Sequence, residues 1–437
     1  MSMKQLKNLI LFSMINNRLK MIKRTAIIST CILSLTGMTR IASAATPAWL
    51  VGSTIKGFIA SYDWTSINNQ FSKYNQYTLT EGGGLFLGTP TYDGFSVAVE
   101  PLVQSGLGLH ASNPNHVSRT LGPSVTALGQ AYIKYHNYRT TFKVGDFELK
   151  NTPWNSSAMG IRLLPMTFQG VHIKTSPMTG LTFYATRIFR FRYVNQSQYN
   201  RGTVYSTYKP NILDRASSGF LSVGAAYNGR ILGDPGIKSN DSLWFWDYYQ
   251  YARLYLAQSI NSVEMGSIKG LFGVQLMHAG KKNGFLGSVN AQLYGGEVGM
   301  AYKPIKVVFT YDYLPAHPGT FNYGGLVTPY NSTTDSGPLF SQPITDSTED
   351  FGSGSAYGVH FYYTGIKNLF TQLRFIYLHM RTSQIYSNFR DISLITSYKF
   401  SHVHGLRVKN IANFATKLPG TNLPNFFQNR LMLIYNF

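Results

Sequence analysis

Cysteine is almost missing from this chain: 437 residues hold one, Cys31. It lies within the apolar part of what reads as an export signal, so the exported protein keeps none. That excludes disulfides, a thiolate metal site and a cysteine nucleophile. Thr30 before it, and the apolar run continuing past it, exclude a lipoprotein anchor. Long hydrophobic runs are missing as well. No later segment approaches the roughly 18 uninterrupted apolar residues that a spanning helix needs, so a membrane crossing would have to be made by strands. Acidic residues are scarce, 18 against 39 Lys and Arg, and the net charge is +21. Charged residues of both signs reach only 13%, below the aromatic share of 14%. Helical periodicity is hard to find anywhere.

The N-terminus carries the export signal. From Met21, Lys23 and Arg24 form a positive region, Ala26 to Leu35 an apolar stretch, and Ala42-Ser43-Ala44 a small-residue cleavage site. Met1 to Lys20 reads as an upstream start or an extended basic region. The organisation expected is therefore a signal over 1–44 and one domain over 45–437. Seven of the 39 basic residues and no acid precede Ala45, leaving 393 residues with 32 basic and 18 acidic, net +14. Such a balance points to anionic partners. Export excludes nucleic acid and leaves anionic solutes, outer-membrane lipids and lipopolysaccharide.

Alternation with period two recurs along the chain. Phe95, Val97 and Val99 alternate with Ser96, Ala98 and Glu100; Val307, Phe309 and Tyr311 alternate with Val308, Thr310 and Asp312. Trp244 to Leu256 reads as a long aromatic-rich strand. The last residues alternate Phe427, Asn429, Leu431, Leu433, Tyr435 and Phe437 against Gln428, Arg430, Met432, Ile434 and Asn436. Termini fray unless tied into a sheet, so such an ending suits a barrel whose final strand pairs with its first. Phe437 is then the residue through which barrel-assembly machinery would engage the chain. Short turns such as Tyr92-Asp93-Gly94 alternate with long polar loops, as in bacterial outer-membrane barrels. The fold expected is an all-β transmembrane antiparallel barrel in the bacterial outer membrane. Strands of roughly 9–11 residues make about 18 of them, or 16, a size that encloses an aqueous channel. The pattern leaves monomer and loose homotrimer open.

Charge is segregated towards the C-terminus. No Lys or Arg occurs between Lys306 and Lys367, where Asp312, Asp335, Asp346, Glu349 and Asp350 fall. From Lys367 onward nine cations face one acid, Asp391. Arg374, Lys399, Arg407, Lys409 and Arg430 alternate with apolar partners. A cation on the lipid face at mid-bilayer costs about 2–4 kcal/mol, which turns these five towards the lumen as a basic column, with the acidic stretch as the opposing wall. The alternative is cations near the rims that bind lipopolysaccharide phosphates. Enzymatic readings, an outer-membrane lipase or protease, find no marked Ser–His pair. His402-x-His404 is a weak metal pattern, and neither metal nor cofactor is expected. A non-conducting structural or adhesin barrel is the remaining rival.

Lys143-Val144-Gly145-Asp146, Asn151-Thr152-Pro153, Arg162-Leu163-Leu164-Pro165-Met166-Thr167-Phe168-Gln169-Gly170 and Gly180-Leu181-Thr182 follow one another in a pattern that resembles the OprD-type outer-membrane porins. Asp247-Tyr248-Tyr249, Pro318 to Tyr323 and Arg407-Val408-Lys409 fit the same family. The resemblance implies an 18-stranded, substrate-selective diffusion channel for small carboxylate-bearing solutes such as amino acids, small peptides or organic acids. It further implies an inward-folded constriction loop around Asp146, Glu148 and Arg162, and it adds Lys56 to the basic ladder of Arg374, Lys399, Arg407, Lys409 and Arg430.

Overall fold

A computed structural model of the protein describes residues 51–68, 74–150, 152–154, 162–205, 216–231, 234–331, 338–344, 352–380, 388–416 and 425–437. Thr54–Phe437 is one compact unit. Its strands run in chain order as β1 (Thr54–Ile67), β2 (Gln76–Gly88), β3 (Phe95–Ser105), β4 (Val125–Asn137), β5 (Thr140–Phe147) and β6 (Thr167–Met178). They continue as β7 (Leu181–Arg192), β8 (Phe220–Ile231), β9 (Asp234–Tyr248), β10 (Ala252–Met265), β11 (Ile268–Gly284) and β12 (Gly287–Tyr302). The last third is β13 (Ile305–Leu314), β14 (Gly354–Tyr363), β15 (Leu369–Met380), β16 (Asn388–Lys399), β17 (Leu406–Ala415) and β18 (Phe426–Asn436).

Each strand pairs antiparallel with the next, and β18 pairs with β1 to close an 18-stranded barrel. The closing seam matches Phe58 with Asn436 and Trp64 with Arg430. Beyond the strand, Gly57 and Phe437 exchange both backbone hydrogen bonds, at 2.9 and 3.0 Å. Every backbone donor and acceptor of a spanning segment must be satisfied inside lipid, and closure leaves no free edge. Gly57 suits this corner because a Cβ there would meet the Phe437 ring at 2.6 Å.

The alternation seen in the sequence becomes two faces. On β3, Phe95, Val97, Val99 and Val103 are exposed, whereas Ser96, Ala98, Glu100, Leu102 and Gln104 are buried. The buried register points inward, since its side chains meet the connections: Gln104 donates to Pro123 O at 2.9 Å and Thr80 to Leu121 O at 2.7 Å. Connections alternate in length. The β2–β3, β4–β5, β6–β7, β10–β11 and β12–β13 turns are short, and the long β3–β4, β5–β6, β7–β8 and β13–β14 connections gather at the other end. That end is the extracellular one in outer-membrane barrels.

The lumen is not polar all round. On β9 to β12 the inward register is apolar, with Trp244, Trp246, Leu254, Leu256, Met277, Ala291 and Leu293 all buried. Val204 and Tyr205 of the β7–β8 connection, and Leu326, Val327, Tyr330 and Leu339 of the β13–β14 connection, join them in one core. Two long connections thus fold against this wall and fill its extracellular half. Towards the short-turn end the same wall turns polar, with Lys269, Gln275, Glu297 and Lys306 on the inward register.

Candidate permeation site

Strands nine places apart face each other across an 18-stranded ring, so β18 stands opposite β9. The two walls differ sharply. On β9, Trp244, Trp246 and Tyr248 stack along one strand, with interplanar angles of 14° at each step, and Tyr184 extends the column at 5.1 Å from Trp244. Every second residue of a strand shares a face, which is why three aromatics at spacing two make a column. Trp246 and Tyr248 are completely buried, and Tyr330 lies 6.0 Å from Tyr248. Burial also pushes the Tyr330 phenol above its usual range. This column anchors loops rather than lining an open path.

The opposite wall carries charge. Lys56, Arg374, Lys399, Arg407, Lys409 and Arg430 all fall on the inward register of their strands. Lys399 pairs directly with Arg407, and Lys409 lies two residues further along β17. With Lys56 on β1, these cations gather at the short-turn end. Lys56 rests over the Phe86 ring at 4.6 Å. Arg430 lies higher, level with Ile411 and Trp64, and is 2% exposed. Its Nε donates to Gln428 Oε1 at 2.9 Å, and Nη2 donates to Ile344 O at 3.4 Å. Arg374 stands apart on β15, beside His360 and Ser393, and donates to Gln372 Oε1 at 3.3 Å. The structure therefore brings three of the six together, sets Lys56 near them, and leaves Arg374 and Arg430 as separate upper positions.

The expected constriction residues divide. Arg162, from the β5–β6 connection, lies 5.9 Å from the Trp64 ring whose other neighbour is Arg430 at 5.1 Å. Two guanidiniums thus approach one indole, an arrangement the strand pattern did not foretell. Glu148 is buried; its N–H donates to Gln130 Oε1 at 3.2 Å and its carboxylate meets Lys150 at 3.0 Å. Asp146 is a correction. It belongs to β5 and shares the outward register with Phe142 and Val144, while Lys143 and Phe147 point inward. Gln169 Nε2 donates to its Oδ1 at 2.9 Å, which satisfies the carboxylate on that outer face.

The acidic wall is also revised. Asp312 is on the inward register of β13 but fully buried, because its Oδ2 accepts the Ser341 N–H at 2.6 Å. Ser341 Oγ donates to Thr310 at 2.9 Å, and Gln275 donates to Pro338 O at 2.9 Å. Asp312 holds residues 338–344 against the wall instead of facing solute. Asp335, Asp346, Glu349 and Asp350 lie outside the described residues. Glu100 on β3 and Glu297 on β12 are inward acids that charge segregation overlooked. Glu100 accepts Gln130 Nε2 at 2.6 Å, on the wall that also carries Lys143, seated 4.7 Å from the Tyr132 ring. The signal for Glu100 was its place opposite Phe95, Val97 and Val99. Among the described residues no group of three His, Cys, Asp or Glu is arranged to hold a metal ion.

A family model, the outer membrane porin of the OprD family, matches residues 109–312. Over that stretch the chain carries the pattern of the OprD-type porins. Solved structures agree in fold. OccK9 (OpdG) of Pseudomonas aeruginosa superposes with a TM-score of 0.73 at 17% identity, covering 89% of this chain and 99% of that one. OccK2 (OpdF) of the same organism, solved in complex with glucuronate, gives 0.71 at 15% identity over 89% and 99%. OccAB4 of Acinetobacter baumannii gives 0.70 at 14% identity over 90% and 100%. No curated protein matches the sequence. The matched family and these structures are porins, outer-membrane β-barrel channels, and the chain is placed in the bacterial outer membrane with them.

Proposed function

We propose that this porin passes small carboxylate-bearing solutes by passive diffusion, guided by the inward cations of β15 to β18 and β1. One observation carries the reading: six Lys and Arg on neighbouring strands share the inward register, opposite a wall sealed by aromatic packing. A carboxylate entering from the extracellular side passes Arg162, beside Trp64, then Lys409, then Arg407 and Lys399 side by side, while Arg430, buried against Trp64 and Ile344, adds its charge from within the wall. Successive cationic sites favour entry, and having several of them keeps any one from trapping the solute. The described parts of the β5–β6 connection and residues 338–344 narrow the path and supply size exclusion. Glu100 and Glu148, on the adjoining wall from β3 to β5, would accommodate an ammonium, so zwitterions as well as organic acids fit. A relative of the same fold was solved with glucuronate, itself a carboxylate.

The test is liposome swelling with a panel of amino acids and organic acids, run on the native protein and on a double substitution. Replacing Arg407 and Lys409 with Ala should cut carboxylate uptake severalfold and leave neutral-sugar uptake unchanged. Equal uptake of the carboxylates by both proteins would return those residues to the rim. Export with cleavage after Ala44 belongs to the same reading. It sets the mature N-terminus at Ala45, which the intact mass of the membrane-extracted protein checks.

A further inference from the structure

The outer wall over β7 to β12 carries a feature that transport does not use. A groove of about 720 Å³ runs down the lipid-facing side, with exposed Phe183, Leu243, Tyr255, Leu276 and Tyr294 among its lining. A second groove of about 440 Å³ shares Ala225, Leu243, Ala257 and Leu276 with it and continues towards the short-turn end. Ala225 and Ala257 flank Leu243 on the neighbouring strands, so the wall recedes on either side of that leucine. The surface is mostly apolar, with Asp241 and Ser259 entering it only towards the short-turn end, and is turned to the membrane.

Above it, at the extracellular end, stand two arginines with a leucine and an aspartate between them. Arg187 pairs with Leu221, Leu221 with Asp247, and Asp247 with Arg253, so these residues share one level of the outward register on four strands. Two residues along each strand, about 7 Å, separate this row from Phe245 and Tyr255 at the top of the groove. Arg187 is held in place: its Nη1 donates to Ser218 O at 3.0 Å and Phe220 O at 3.3 Å. Its guanidinium also lies 4.5 Å from the Phe189 ring and 4.6 Å from that of Tyr249. Arg253 extends into solvent, 64% exposed, with Asp247 3.5 Å away. Arg190, beyond the bulge in β7 and opposite Gln169, is a further exposed cation on this face.

We propose that this face binds a multiply acylated, phosphorylated glycolipid of the outer leaflet, the lipid A portion of lipopolysaccharide. Its acyl chains would lie in the groove and its phosphates on Arg187, Arg190 and Arg253. Arg187 and Arg253 are three strands apart, about 14 Å, a span that a disaccharide with a phosphate at each end can bridge. Guanidinium–phosphate contacts are charge-assisted and directional. A second copy of this chain is the weaker occupant. Copies related by a twofold axis along the membrane normal would set these arginines against their own like, and like charges facing each other oppose association.

Native mass spectrometry of the full barrel in a mild detergent tests the site, with diphosphoryl lipid A, phosphatidylcholine and no added lipid compared. The expected result is a single lipid A adduct that survives activation and is absent with phosphatidylcholine. Arg190→Ala combined with Arg253→Ala should weaken that adduct about a hundredfold, the loss of two charge-assisted contacts. Ala257→Trp, which fills the groove from outside, should weaken it independently. Heat-modifiable gel migration confirms that each variant is folded. Equal adducts with phosphatidylcholine, an adduct indifferent to all three substitutions, or dimers in place of lipid complexes would overturn the proposal.

Discussion

At the residue scale, the structure separates charge that faces solute from charge that fastens the protein together. Asp312 shows the difference. Its position on β13 followed from alternation with Phe309 and Tyr311, yet its role depends on Ser341, 29 residues away, whose N–H it accepts at 2.6 Å. Burying a carboxylate is costly unless hydrogen bonds repay it, so this contact is strong and specific. Asp312→Ala should release residues 338–344 from the wall, at a cost of about 1–3 kcal/mol. Single-channel recording should then show larger, noisier openings. Asp312→Asn keeps an oxygen for the Ser341 N–H and should restore the quiet state; equal noise in both variants would mean the clamp has no part in shaping the path. Five of the six cations were legible because the lipid face penalises them; Lys56 came only with the family resemblance. Asp312's burial was not legible, because no local pattern reports a partner that a distant loop supplies. The same holds for the approach of Arg162 to Trp64.

At the element scale, strand parity decided most of what could be read, and bulges marked its limits. β3 announces both faces in a few residues, and with them Glu100. Asp146 sits in a motif that suggested a loop, but β5 runs through to Phe147 and parity carries the aspartate outward. The connections follow other rules. Arg192, completely buried at the end of β7, donates through Nη2 to Pro165 O at 2.6 Å, through Nη1 to Gln196 O at 3.0 Å, and through Nε to Thr167 Oγ1 at 3.1 Å. Tyr199 adds a bond from its hydroxyl to Gly129 O at 2.7 Å. One guanidinium thus ties the exit of the β5–β6 connection to the start of the β7–β8 connection. Replacing it with Met preserves bulk and strands these acceptors. Limited proteolysis of intact cells should then cut Arg192→Met within the β7–β8 connection several times faster than the native protein, with the β-sheet circular dichroism unchanged. A native cleavage rate would show that the connection is held by its aromatic residues alone.

At the scale of the whole molecule, closure and asymmetry set the function. Closure was readable from the last strand, whose alternation through Phe437 requires a partner, and the β1–β18 seam supplies it. The asymmetry was not. Nothing in the spacing of Trp244, Trp246 and Tyr248 tells a lipid-facing girdle from a loop-covered inner wall, because both want aromatic residues. With that wall sealed, a permeating ion is confined to the side bearing Lys56, Arg374, Lys399, Arg407, Lys409 and Arg430, so the pore should prefer anions. The preference should also weaken with salt. Screening lengths fall from about 10 Å at 0.1 M to about 3 Å at 1 M, and a lumen wide enough for a carboxylate then hides much of its wall charge. Reversal potentials across planar bilayers, taken at a fixed tenfold KCl gradient, should be anion-selective at low mean salt and approach neutrality as both compartments are raised together. Cation selectivity at low salt would contradict the assignment of these side chains to the conducting path. An anion preference unaffected by salt would place selection at a contact too tight for screening, which points to Arg162 and Arg430 over Trp64.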